Sequence, residues 1–268
     1  MADWNPALYR RFEDERTRPA AELLARVPSV GGASRATFAV DLGCGPGNST
    51  ELLVRRFPQA RVLGVDNSAS MLVSARERLP GTEFTEADIA AWTPAAGQAP
   101  DLLFANAALQ WVPDHAELLP RLFGLLAPGG VLAIQMPDNW QEPSHRLMRD
   151  VARDPAWATQ IGDAERLRTP LLGIGRYYDL LAPLAAEVDV WHTIYQHRMA
   201  GPAAIVEWLR GTGLRPFVDR LSDAQRAGFL AEYERRIDAA YPLRADGQRL
   251  LAFPRLFIVA RKAGATAA

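Results

Sequence analysis

The chain has 268 residues, 49% of them hydrophobic and 23% charged, with a net charge of −1. That balance is ordinary for a folded globular protein and sets aside disordered and fibrous classes, while a near-neutral charge without a basic tract argues against a nucleic-acid substrate. No stretch approaches the roughly 20 apolar residues needed to span a bilayer, so a small molecule is the expected partner and one main domain the default.

In chain order, Leu8, Phe12, Leu23, Leu24 and Val27 fall near helical spacing, which predicts one or two amphipathic helices over 4–27. Gly31-Gly32-Ala33-Ser34 reads as a linker. Thr37 to Leu42 is a short apolar run suited to a strand buried on both faces, and it ends in glycines. A helix over 48–57, a strand over 61–66, a helix over 68–79 capped by Ser68 and a strand over 83–88 follow. Further strands are predicted over 102–106 and 131–135, separated by a helix over 116–126 that Pro128-Gly129-Gly130 closes. Strands alternating with helices mean parallel βαβ units, so 36–136 reads as a nucleotide-binding core and 1–35 as N-terminal helices that close its site.

After Pro137 the alternation breaks. Helices are predicted near 143–152, 176–185, 201–209 and 222–240, the last opened by a Ser222-x-x-Gln225 capping box, and strands over 187–195 and 256–260. Residues 137–268 are therefore read as a helical cap plus the last two strands of the same sheet, with the cap over the strand ends where open α/β sheets bind ligands.

Asp41-Leu42-Gly43-Cys44-Gly45-Pro46-Gly47 carries an aspartate into a glycine-rich turn at a helix start, where backbone amides can approach a ligand closely. Alone, such a turn is equally a tight strand-to-helix connection. Dinucleotide turns run Gly-x-Gly-x-x-Gly, whereas here the third glycine comes one residue early and Pro46 removes a donor, which disfavours NAD. Asp66 ends the next strand 19 residues after Gly47, where a carboxylate can accept both ribose hydroxyls. Asp88-Ile89 suits an adenine amino group and an apolar contact, and Met71 can cover the adenine face. Asp88 can equally cap a turn, and Met71 can equally belong to the core.

Val40 to Thr50, Asp66, Ala87-Asp88-Ile89 and Pro128-Gly129-Gly130 together resemble the motif series of class I S-adenosylmethionine-dependent methyltransferases. The resemblance implies a Rossmann-like α/β fold, with a mostly parallel seven-stranded sheet, an antiparallel last strand and a helical cap. It implies S-adenosyl-L-methionine as cofactor and S-adenosyl-L-homocysteine as product, with no metal. Asp41, Gly43, Gly45 and Gly47 would surround the methionine part, Asp66 and Asn67 the ribose, and Asp88 and Ile89 the adenine, with Asn106 beside the reacting methyl group. Longer strings, among them Asp3-Trp4-Asn5-Pro6, Gln135-Met136-Pro137-Asp138-Asn139-Trp140 and Leu251-Ala252-Phe253-Pro254-Arg255, are similar to the trans-aconitate 2-methyltransferase family. That similarity implies methylation of one carboxylate of a small tricarboxylic acid, trans-aconitate first among them, to a monomethyl ester.

A tricarboxylate needs several arginines converging on one pocket, because guanidinium groups bind carboxylates bidentately and stay charged. Candidates are Arg16, Arg18, Arg176, Arg215 and Arg255, each of which is otherwise a surface ion pair. Tyr177 and Tyr178 can supply hydroxyls, although one of an adjacent helical pair normally faces the core, and Tyr9 can close the pocket. Trp111 and Trp140 follow the fourth and fifth strands and either wall the site or simply pack; Asn106 and Trp111 are the residues expected to align the reactants. His115 is either a base or a solvated loop histidine. A carboxylate is already ionised at neutral pH, so no residue is expected to act as acid or base.

Lys262 is the only lysine, and the other 29 basic residues are arginine, a bias attributed to the base composition of the gene. The single cysteine, Cys44, and the lack of an apolar signal segment lead to the expectation of a cytoplasmic protein, taken as a monomer. A methyltransferase for a phenol, an amine or another acid, a nicotinamide dehydrogenase, and a regulatory module that binds the cofactor without catalysis are the alternatives.

Overall fold

The alternating elements assemble into one sheet in the computed structural model, which describes residues 13–28 and 38–265. Its strands are β1 (Phe38–Leu42), β2 (Arg61–Asp66), β3 (Glu83–Glu86), β4 (Leu102–Asn106), β5 (Val131–Pro137), β6 (Glu187–Met199) and β7 (Arg249–Arg261), in the order β3-β2-β1-β4-β5-β7-β6. β7 pairs antiparallel with both β5 and β6, and every other pair is parallel. The chain therefore reverses its direction of progress across the sheet between β1 and β4, which opens a crevice at their carboxyl ends.

Successive side chains of β1, β2, β4 and β5 point to opposite faces, and burial along these strands is nearly continuous because both faces are covered. Val40 and Leu42 point to one side together with Leu63, Leu103 and Leu132, where they share a cluster with Leu119, Leu122 and Phe123 of the helix His115–Gly124 (α4). Ala39 points to the other side with Val62, Phe104 and Ala133, joined by Leu23 of α1 (Glu13–Arg26) and Leu53 of α2 (Asn48–Arg56). Ser68 caps α3 (Ala69–Arg78) by accepting from Met71 N at 3.3 Å.

The second half adds α5 (Pro143–Ala152), α6 (Pro155–Ile161), α7 (Ile174–Leu181), α8 (Pro202–Arg210), α9 (Arg215–Val218) and α10 (Asp223–Ala240). Val151, Ile161, Leu209, Phe217 and Phe229, one from each of α5, α6, α8, α9 and α10, share a separate cluster with Met199, Leu251 and Phe253 of the last two strands. The register explains where this cap sits. Arg255 faces Pro137 at the end of β5, while β7 pairs with β6 back to Arg249, so residues 249–254 overhang the carboxyl edge of the sheet and carry the cap there.

Several boundaries differ from those read in the sequence. β6 and β7 are longer than the predicted 187–195 and 256–260, because Pro254 and Arg255 interrupt the apolar run while long-range pairing continues through them. β3 stops at Glu86 where Ala87 N turns to donate to Asp66 O. The short helix α6 was not predicted; Asp154 caps it by accepting from Ala156 N, with Pro155 in its first turn. The capping box at Ser222 and Gln225 is present. The part of the expected helical region 4–27 that precedes residue 13, and the Gly31 linker, lie outside the described residues. No helix among the described residues is long and apolar enough to cross a membrane.

Candidate functional site

The glycine turn leaves β1 with Gly43, Gly45 and Gly47 at φ of 74°, 52° and 91°. A side chain is strained at such angles, and at Gly43 a Cβ would also meet Ala108 Cβ at 2.2 Å. Backbone bonds hold the turn open: Gly43 N and Cys44 N donate to Val65 O at 2.7 and 3.0 Å. Gly45 N donates to Asp66 Oδ2 at 2.8 Å, and Ser68 N to the other carboxylate oxygen at 2.9 Å. Asp66 is thus oriented by the turn that it helps to shape. Gly43→Ala is expected to reduce S-adenosylmethionine binding to below calorimetric detection; wild-type affinity in that variant would show that the turn does not shape the site.

Asp41 corrects an expectation. Its residue is 0% exposed, its Oδ2 accepts from the hydroxyls of Ser49 and Thr50 at 2.7 Å each, and it is not among the walls of the cavity in front of the turn. Burial pushes its carboxyl up to about 6 against the pull of those two bonds. It braces the first turn of α2 from behind, and Gly47, at the N-cap of the same helix, is likewise absent from the cavity wall.

That cavity has a volume of about 1190 Å³. The remaining residues expected at the cofactor, Gly43, Gly45, Asp66, Asn67, Met71, Asp88, Ile89 and Asn106, all line it. Asp88 stands in the wall, and its Oδ1 accepts from Ala90 N at 2.9 Å, so it does cap a turn. Helix α1 adds Thr17 and Ala20 to the wall. Thr17 Oγ1, Asn106 Oδ1 and both side-chain polar atoms of Asn48 are enclosed without a hydrogen-bond partner. Such atoms each cost about 1–3 kcal/mol if nothing pairs with them, so the chamber suits a ligand rich in polar groups. A nucleoside bearing an amino-acid chain, as in S-adenosylmethionine, fits that description.

A second chamber of about 70 Å³ lies beside the first, lined by Gln110, Asn139, His145, Arg168, Trp208 and Arg255 among others. Ala107, Trp111 and Thr212 belong to the walls of both chambers. Ala107 sits in left-handed backbone at φ 53°, held there by its N–H to Gln135 O at 2.9 Å and by Gln110 Nε2 donating to its carbonyl at 2.6 Å. Arg255 is 3% exposed and donates from Nη1 to Gln135 Oε1 at 3.0 Å. Arg168 donates to Asn139 Oδ1 at 3.0 Å and Pro137 O at 2.9 Å, while its Nε is enclosed without a hydrogen-bond partner. Burial lowers the Arg168 guanidinium to about 10, with Asp138 opposing, so it remains charged at neutral pH.

Among the described residues expected at the acceptor, Arg255 and Trp111 line this smaller chamber. Arg215 stands in the wall of the large chamber, 3.6 Å from Asp219. Arg18 extends into solvent from α1, pairs with Glu22 at 2.7 Å and lies over the Tyr195 ring. Trp140 packs behind the site under Arg149, whose guanidinium carbon is 4.1 Å from its ring centroid. Arg176, Tyr177 and Tyr178 sit on α7, away from both chambers. Arg176 and Tyr178 are exposed, whereas Tyr177 is in the core. Tyr9 and the Arg16 side chain lie outside the described residues.

His115 is neither a base nor a solvated loop residue. It is buried at the start of α4, with Nδ1 2.6 Å from Tyr177 Oη and Nε2 2.8 Å from Leu109 O. Tyr177→Phe should therefore cost about 1–3 kcal/mol of stability, the penalty for an unsatisfied buried group, without altering Michaelis constants. Thermal unfolding and steady-state kinetics on one preparation check this. Arg168 and Thr212 were missed by sequence reasoning; nothing local separates Arg168 from the other 28 arginines.

Residues 39–130 match the model of a methyltransferase domain family. The chain is 73% identical over 262 residues to a trans-aconitate 2-methyltransferase of Paracidovorax citrulli, covering 98% of this chain and 99% of that one. It is 71% identical over 262 residues, with the same coverage, to a trans-aconitate 2-methyltransferase of Variovorax paradoxus. Among solved structures, phosphoethanolamine N-methyltransferase 2 of Haemonchus contortus with S-adenosyl-L-methionine superposes with a TM-score of 0.52 at 17% identity, over 92% of this chain and 52% of that one. At that identity the likeness speaks for the fold.

Proposed function

The chain belongs to the trans-aconitate 2-methyltransferase family, and from that premise we propose that it methylates one carboxylate of trans-aconitate to give a monomethyl ester. The observation that carries the reading is the pair of chambers meeting at Ala107, Trp111 and Thr212, one suited to a nucleoside and the other holding two largely buried arginines. When bound, S-adenosylmethionine supplies a methyl group on a sulfonium and departs as S-adenosylhomocysteine. Asp66 would accept the ribose hydroxyls, Asp88 would take the adenine amino group, and Met71 and Ile89 would cover the adenine faces. Asn106 and Trp111 would stand at the junction beside the methyl carbon, and α1 would close the large chamber through Thr17 and Ala20.

In the smaller chamber Arg168 and Arg255 bind carboxylates and orient the acid. A carboxylate oxygen directed through the junction forms the new O–CH₃ bond as the C–S bond breaks, and its negative charge is quenched in the ester. No proton needs removal, because the nucleophile is ionised at neutral pH. Holding reactants in line contributes up to about 7–11 kcal/mol in well-oriented systems, and the aromatic walls Trp111, Trp208 and Phe253 keep water from the carboxylate. A phenol or amine acceptor would need a base. The histidine in this chamber, His145, is a poor one, since burial and the nearby Arg168 and Arg149 hold its pKa well below the usual range.

The test uses methyl-labelled cofactor with trans-aconitate, related tricarboxylates, phenols and amines. Label on trans-aconitate that mild alkali releases as methanol is the expected result. Label transferred only to phenols or amines, in alkali-stable form, would overturn the acceptor assignment.

A further inference from the structure

His145 lies in the wall of the acceptor chamber and is 2% exposed. Its presentation is tightly built. Ser144 N donates to Tyr241 Oη at 3.0 Å, Tyr233 Oη donates to Ser144 O at 2.9 Å, and Ser144 Oγ lies 3.1 Å from His145 Nδ1. The opposite ring edge faces Gly213. A Cβ placed there would lie 2.9 Å from His145 Nε2 and 3.4 Å from Cδ2, while the backbone of Gly213 is not in the positive-φ region that itself favours glycine. Glycine at 213 therefore leaves room for the imidazole edge. The preceding residue, Thr212, walls both chambers, which puts this edge next to the junction.

Resting on the acceptor assignment above, we propose that His145 is a third, uncharged ligand for the acid, donating its Nε2–H to the carboxylate that is methylated. With Nδ1 accepting from the Ser144 hydroxyl, the ring proton resides on Nε2. Burial, together with the nearby positive charges of Arg168 and Arg149, keeps the ring neutral. The division of labour follows from charge. The two carboxylates that stay ionised in the product match Arg168 and Arg255. The third is an anion in the substrate and an ester in the product, and a guanidinium on it would stabilise the starting anion more than the transition state in which that charge is disappearing. A neutral donor orients the same oxygen with a smaller loss, and it can still bond to the ester carbonyl.

The experiment compares kcat and KM for trans-aconitate in His145→Ala, His145→Gln and Gly213→Ala. His145→Ala and Gly213→Ala are expected to lose at least about tenfold in kcat/KM, the size of one lost hydrogen bond to a charged group, with the KM for S-adenosylmethionine unchanged. His145→Gln, whose amide nitrogen reaches nearly the same position, should recover most of the loss. In the wild-type enzyme with S-adenosylhomocysteine, the 15N resonance of His145 Nε2 should be of the protonated type and should shift as trans-aconitate is added. Wild-type turnover with His145→Ala and Gly213→Ala both unimpaired overturns the proposal, as does an Nε2 resonance that is unprotonated or unmoved at saturating acid. An enzyme that forms no ester with trans-aconitate overturns the acceptor assignment instead, and this proposal with it.

Discussion

Asp66→Ala is expected to weaken S-adenosylmethionine binding by about 100-fold or more, and Asp88→Ala by only a few-fold. Two effects add at Asp66. As a ribose ligand it would offer two charge-assisted hydrogen bonds, each contributing about 1.5–3 kcal/mol. It also accepts from Gly45 N and Ser68 N, so its removal loosens the glycine turn and the start of α3 together. Asp66→Asn separates the contributions: an amide cannot accept with both side-chain atoms, so one backbone donor or one ribose hydroxyl must go unanswered, and an intermediate loss follows. Asp88 is exposed and as an adenine ligand would make one peripheral contact, while the turn it caps through Ala90 N concerns local stability. Isothermal titration of the three variants decides the matter. Equal and small losses at Asp66 and Asp88 would sink the assignment of the large chamber.

The features of the site that were legible in the sequence are those that local spacing determines. A strand buried on both faces must be an unbroken apolar run, and a ligand-binding residue at its carboxyl end is the first polar residue after that run. Asp66 and Asn106 end β2 and β4 and line the large chamber, as that logic requires, whereas Asp88 follows the exposed, polar strand β3 and was legible only from its spacing after that strand. Asp41 breaks the pattern because it lies inside the strand rather than after it. Its side chain points into the protein, where Ser49 and Thr50 meet it.

The acceptor chamber was far less legible, because its residues converge from distant parts of the chain. Arg255 comes from β7, Arg168 from the link before α7, Gln110 from the turn Leu109–Trp111, and Thr212 from the end of α8. Arg176 and Arg168 are only eight residues apart, and no local pattern separates the one exposed on α7 from the one enclosed beside Asn139. The Arg176-Tyr177-Tyr178 string looked like a binding cluster. On a helix, however, successive residues point about 100° apart, and here one tyrosine entered the core while its neighbours took solvent. The length of β7 was hidden for a related reason, since Pro254 and Arg255 interrupt an apolar run that only cross-strand pairing continues.

Arg168→Met and Arg255→Met are each expected to raise the KM for trans-aconitate by at least about 30-fold, with S-adenosylmethionine affinity unchanged. Removing one member of a buried, hydrogen-bonded charge pair costs about 2–5 kcal/mol, and methionine keeps most of the volume while deleting the charge. Lysine at either position should recover only part of the loss, because it restores charge without the planar fork. The two variants will differ in stability. Arg255→Met strips Gln135 Oε1 of a buried donor, whereas Arg168→Met strips Asn139 Oδ1 and the Pro137 carbonyl, so unfolding temperatures must accompany the kinetics. Arg18→Ala and Arg176→Ala, on side chains that reach solvent, serve as controls and should leave the acceptor KM within twofold or so. Trimming the acid sharpens the result. A dicarboxylate lacking the group held by Arg168 should be a poor substrate for the wild-type enzyme yet lose little more in Arg168→Met, while Arg255→Met still weakens it fully. That pattern would match each guanidinium to its carboxylate, and full additivity for every trimmed acid would mean that neither arginine touches the substrate.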